Sequence, residues 1–77
     1  MNKARRKDLE QIKDDLVDIK DRLETIKDEE DDYRETMPEN LQESEKATES
    51  ETASEEIESA MDTIDTAIDE IGNAINH

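Results

Sequence analysis

The feature that most constrains this chain is a row of aliphatic residues at alternating steps of three and four: Leu9, Ile12, Leu16, Ile19, Leu23 and Ile26. That alternation is the heptad pattern of a helix made to lie along another helix. With Leu9, Leu16 and Leu23 at position a, Ile12, Ile19 and Ile26 take position d. Further along, Ile57, Ile64 and Ile71 form a d row, Met61, Ile68 and Ile75 an a row, and Ala53, Ala60, Ala67 and Ala74 a g row. Those three rows together make an apolar face roughly 120° wide. The pattern breaks at Thr36-Met37-Pro38-Glu39-Asn40, where Pro38 disfavours helix at Met37. The expectation is a single all-α domain: a helix over about 4–35, a turn over about 36–44 and a second helix over about 45–76. Ser44 is the expected N-cap of the second helix, Thr36 and Glu39 have capping-box spacing, and Leu41 is placed to cover the end of the seam.

Charge chooses the orientation. The e positions of the first helix are Arg6, Lys13, Lys20, Lys27 and Arg34; those of the second are Glu51, Glu58 and Asp65. Antiparallel packing sets e beside e, whereas parallel packing sets e against g. Basic therefore meets acidic only in an antiparallel coiled-coil hairpin. Centring the hairpin on its turn pairs Lys27 with Glu51, Lys20 with Glu58 and Lys13 with Asp65, and layers Leu23 with Ile57 and Leu16 with Ile64. In that register Glu30 falls near Ser50, Tyr33 caps the core, and the basic N-terminus lies beside Asp69, Glu70 and the last carbonyls. The run Asp28 to Asp32 reads as a solvated stretch.

A hairpin of 77 residues without cysteine covers each stripe from one side only. Small residues let another backbone approach closely. The expectation is therefore a homodimer, two second helices meeting along Ala53, Ala60, Ala67 and Ala74 with Ile64 and Ile68 to form a four-helix bundle. The rival expectation is a hairpin whose core is completed by a different protein.

Catalysis finds no support in the residue inventory. The single histidine is His77 and there is no cysteine, so neither a Ser-His nor a Cys-His system can be assembled. The inward positions are aliphatic, without the Glu-x-x-His of a di-metal bundle, and Asp28-Glu29-Glu30-Asp31-Asp32 lacks the glycine and alternation of a calcium loop. No cofactor and no metal are expected. The longest run of large aliphatics is Leu16-Val17, too short for a membrane span or a signal-peptide core, so a soluble, intracellular protein is expected.

A net charge of −15 repels nucleic acid and anionic lipid alike, and an electrostatic partner should be basic. Two chains side by side would carry about one net charge per 1.5 Å, near the one per ~1.7 Å of duplex DNA. The leading expectation is thus an acidic binding protein that engages a nucleic-acid-acting protein through Asp14, Asp18, Asp21, Asp28, Asp32, Glu55, Asp62 and Asp69. The alternatives are a structural oligomerisation module, within a virion or a regulatory complex, and a hairpin that binds through its apolar face.

One stretch resembles a known group. Tyr33, Met37-Pro38-Glu39-Asn40-Leu41-Gln42 and Ser44-Glu45, set between two charged helices, are similar to the turn of small acidic two-helix proteins encoded in phages and prophages of Gram-positive bacteria. The resemblance implies a phage gene product acting in the cytoplasm of its bacterial host. Small acidic phage proteins are often inhibitors that occupy host or defence proteins by imitating DNA, and the resemblance carries that expectation here.

Overall fold

The computed structural model describes residues 1–42 and 44–77 and is an all-α helical hairpin. Helix α1 runs Lys3–Glu35, a single turn of 3-10 helix spans Glu39–Leu41, and α2 runs Glu45–Ile75. Glu43, inside the expected turn, lies outside the described residues. The two helices pack side by side in a hairpin 59 Å long.

Each helix begins at a side-chain cap. The Asn2 carboxamide oxygen accepts from the Arg5 backbone N–H at 2.8 Å, which starts α1 one residue before the expected Ala4. Ser44 caps α2 as expected, its hydroxyl oxygen accepting from the Ala47 N–H at 3.4 Å. Both caps satisfy amides that the first helical turn leaves without partners. The Thr36–Glu39 capping box does not form. Thr36 instead ends α1, its hydroxyl donating to the Tyr33 carbonyl at 3.1 Å, and Pro38 precedes the 3-10 turn with no side-chain cap. Leu41 does not cover the end of the seam either, being 47% exposed. Met37 and Ala47 are the buried apolar residues at this end.

Two features of the packing differ from expectation. The first is register. Lys20 Nζ pairs with Asp65 Oδ1 at 2.9 Å, where the turn-centred register set Glu58 opposite Lys20. A Cβ built on Gly72 would lie 3.5 Å from Lys13 Nζ, and Arg34 reaches Ser50 and Ser54. The Lys20 and Lys13 pairs put α2 one heptad, about 10 Å, from the expected alignment, and the Arg34 bonds are displaced in the same direction. Glu30 accordingly does not take Ser50, which receives a bond from Arg34. A shift of seven residues returns every position to its own class, so e still meets e while each named partner changes: Lys20 keeps an acidic partner in Asp65, and Lys13 comes beside the uncharged Gly72.

The second difference is rotation. The inward face of α1 consists of its a and e residues, with Leu9, Lys13, Leu16, Lys20, Leu23, Lys27 and Arg34 all half-buried. The d residues Ile12, Ile19 and Ile26 are exposed, and so is Tyr33, which does not cap the core. The e-row lysines account for this. Their aliphatic stems are half-buried, while Lys20 Nζ reaches Asp65 of α2, Lys27 Nζ turns to Asp31 of its own helix and Lys13 Nζ lies near Gly72, an arrangement open to long amphipathic side chains. On α2 the inward face is the expected one: Ile57, Met61, Ile64, Ile68, Ile71 and Ile75 are half-buried. Among the described residues no large side chain is fully buried.

Candidate functional site

The heptad geometry sorts the hairpin into two flanks. Position e lies on one side of a, and positions d and g lie on the other. The Lys20–Asp65 ion pair marks the e flank, where basic side chains of α1 meet α2. Hydrogen bonding to Asp65 holds the Lys20 ammonium above its ordinary pKa.

The opposite flank carries the d row of α1 and the g row of α2. Ile12, Ile19, Ile26 and Tyr33 are each 42 to 51% exposed there. Beside them run the alanines: Ala60 is exposed, and Ala53, Ala67 and Ala74 are half-buried. In the observed register each large residue stands level with a small one, Ile12 with Ala74, Ile19 with Ala67, Ile26 with Ala60 and Tyr33 with Ala53. The result is a stepped apolar strip on the order of 31 Å long. At the turn it runs into a cleft of about 210 Å³ lined in part by Tyr33, Met37, Pro38, Leu41 and Lys46. Tyr33, Met37, Pro38 and Leu41 thus form the end of the strip. Ile64 and Ile68, expected beside the alanines in a dimer interface, sit half-buried on the a/d face that packs on α1.

A polar cluster closes the turn end. Asp31 Oδ1 accepts from the Ser54 hydroxyl at 2.7 Å and from Arg34 Nη2 at 2.8 Å, and Asp31 Oδ2 accepts from Lys27 Nζ at 3.0 Å. Arg34 Nη1 also donates to Ser50 and Ser54, at 3.3 and 3.1 Å. These bonds, the Ser54 hydroxyl foremost, hold the Asp31 carboxyl well below the usual carboxylate range. Both serines are only 4% exposed, and no buried side-chain polar atom among the described residues lacks a partner. Asp31 is therefore not part of a freely solvated run, although Asp28, Glu29 and Asp32 are exposed. A signal in the sequence pointed here: Ser50 and Ser54 interrupt the a/d pattern of α2, and polar seam positions want polar partners, which the Asp31–Arg34 end of α1 supplies.

The carboxylates expected to meet a partner, Asp14, Asp18, Asp21, Asp28, Asp32, Glu55, Asp62 and Asp69, are all exposed. They do not converge on a point; they are spread along both helices. Among the described residues no three acidic or histidine side chains are grouped to hold a metal ion, and no helix is long and apolar enough to cross a membrane. At the open end Arg6 donates to the His77 backbone carbonyl at 3.1 Å, so the basic N-terminus meets the end of α2. No protein-family model, curated protein or solved structure matches this chain.

Proposed function

We propose that this chain is a non-catalytic acidic binding protein, a phage-encoded inhibitor that occupies a basic, nucleic-acid-acting host or defence protein in the bacterial cytoplasm. The observation that supports the reading most is how charge is sorted. Of the half-buried cations, Lys20, Lys27 and Arg34 are taken up in ion pairs with Asp65 and Asp31, and Lys13 lies beside Gly72. The exposed surface keeps the surplus of carboxylates, about one net negative charge per 4 Å of a 59 Å rod. A groove lined with Lys and Arg for a nucleic-acid backbone is attracted to such a rod by the same long-range field.

The test is capture of proteins from a Gram-positive host lysate on the tagged chain at low salt, followed by elution with duplex DNA. A retained nucleic-acid-binding protein that duplex DNA displaces, and that Asp14→Asn, Asp18→Asn, Asp21→Asn and Asp28→Asn together fail to retain, is the expected result. Retention indifferent to DNA and to salt overturns the reading. A second reading, a homodimeric structural module, is favoured by one observation: the alanine row beside an uncovered aliphatic row leaves room for another helix. Its test is the mass of the chain in solution.

A further inference from the structure

We propose that the strip of Ile12, Ile19, Ile26 and Tyr33 is a docking groove for one amphipathic helix of a partner protein, a helix with Lys or Arg along both edges of its apolar stripe. The inference rests on the reading above, that the partner is basic, and adds the element by which it is held.

Apolar complementarity comes first. The aliphatic row and the alanine row leave a step along the hairpin, and a third helix set against the alanines would cover the isoleucines without displacing a residue of the existing seam. Such an occupant needs about 20 residues to run the length of the strip.

Charge then chooses the occupant. The strip has two rims, the g row of α1 and the c row of α2, and both are exposed. Asp15 and Glu29 stand on the first rim with Arg22 between them; Glu49, Glu56 and Glu70 stand on the second. A second copy of this chain would bring an acidic rim against an acidic rim, and like charges across an interface oppose association. A helix with basic edges places opposite charge beside Asp15 and Glu29 on one rim and Glu49, Glu56 and Glu70 on the other, with Arg22 and Thr63 at mid-rim, while its apolar stripe covers the isoleucines. Anionic lipid and nucleic acid are repelled by the same rims.

The test uses the full chain and three synthetic peptides of about 20 residues. One is an amphipathic helix with a leucine stripe and Lys/Arg edges, one is the same composition scrambled, and one keeps the stripe with Glu edges. The expected result is 1:1 binding of the basic-edged helix to a monomeric chain, much tighter than either of the others. Ile19→Asn with Ile26→Asn should weaken that binding by about tenfold or more. Val17→Asn, an equally exposed aliphatic on the e flank, should change it less than about twofold. Circular dichroism of each variant confirms that the hairpin is intact. Equal binding of the scrambled peptide overturns the groove and leaves the acidic reading standing. Failure of both basic peptides to bind, at low salt, overturns the acidic reading as well. A chain that is dimeric alone and becomes monomeric with Ile19→Asn and Ile26→Asn shows that a second copy fills the strip, and also overturns the inference.

Discussion

The two flanks of this hairpin are built from the same heptads and end in opposite conditions. On the e flank, Lys20 finds Asp65 across the seam, Lys27 pairs with Asp31 of its own helix and Lys13 lies against Gly72, so these half-buried lysines are accommodated within the chain. On the d/g flank, isoleucines at the same spacing meet no side chain of their own chain large enough to cover them. One neighbouring helix can cover an arc of α1 that includes a and one of its two neighbours. Where e offers long stems ending in charge and the partner offers carboxylates, that arc turns toward e and leaves d outside. The uncovered flank is then a consequence of the covered one.

The sharpest way to break the comparison is to place the same charge on the seam and on the strip. Ile64→Asp buries a carboxylate against α1 and should destabilise the hairpin by about 2 kcal/mol or more, a large share of what a chain of this size has. Ile26→Asp, on the strip, should cost the isolated chain no more than about 0.5 kcal/mol. Thermal unfolding followed by circular dichroism measures both, and equal losses would mean that the strip is as buried as the seam.

A middle-sized effect is expected at the turn end. Ser54→Ala removes a buried hydroxyl that donates to Asp31 and should cost about 1 kcal/mol, a drop in Tm of about 4–8 °C for a domain this small. Asp31→Asn should also lower Tm at neutral pH, with a defined pH dependence. The folded state holds the Asp31 carboxyl below its unfolded pKa, so its stabilising contribution is complete above the unfolded value near 4 and is lost as pH falls from there toward the folded value. The Tm gap between the wild-type chain and Asp31→Asn should therefore be constant from neutral pH down to about 5 and narrow below about 4. A gap that closes at higher pH would show that Asp31 is not held by Ser54, Lys27 and Arg34 as described.

The smallest effect belongs to the e flank. Lys20 and Asp65 are partly solvated, and a double-mutant cycle through Lys20→Ala and Asp65→Ala should show weak coupling at low salt and none at high salt. Strong coupling that survives salt would mean that this pair holds the helices together, beyond orienting them.

How much of this was legible in the residues depends on which repeat one reads. The period of the aliphatics located both helices, and the proline with the polar residues around it located the turn. The basic e row of α1 and the acidic Glu51, Glu58 and Asp65 of α2 called for antiparallel packing, and Lys20–Asp65 is a pair of that class. Its partner was misplaced by one heptad for a reason that lies in the repeat itself: sliding one helix by seven residues changes no position class, so no heptad argument can detect it. Register is decided by residues that do not repeat. Here they are Asp31, Arg34, Ser50 and Ser54, whose bonds form in one alignment only.

The acidic surface was equally legible, because charged side chains with no buried partner stay in water, and the eight expected carboxylates are exposed. The apolar strip was not. Its residues were visible as position d, and position d is ordinarily inside. Two helices, the cap at Ser44, the direction of packing and the sign of the surface can all be read from the residues, since each follows from local pattern or from charge class. The heptad on which the helices meet and the face that α1 turns outward emerge only in the folded chain, because both are set by competition between alternative contacts and not by any single residue's preference.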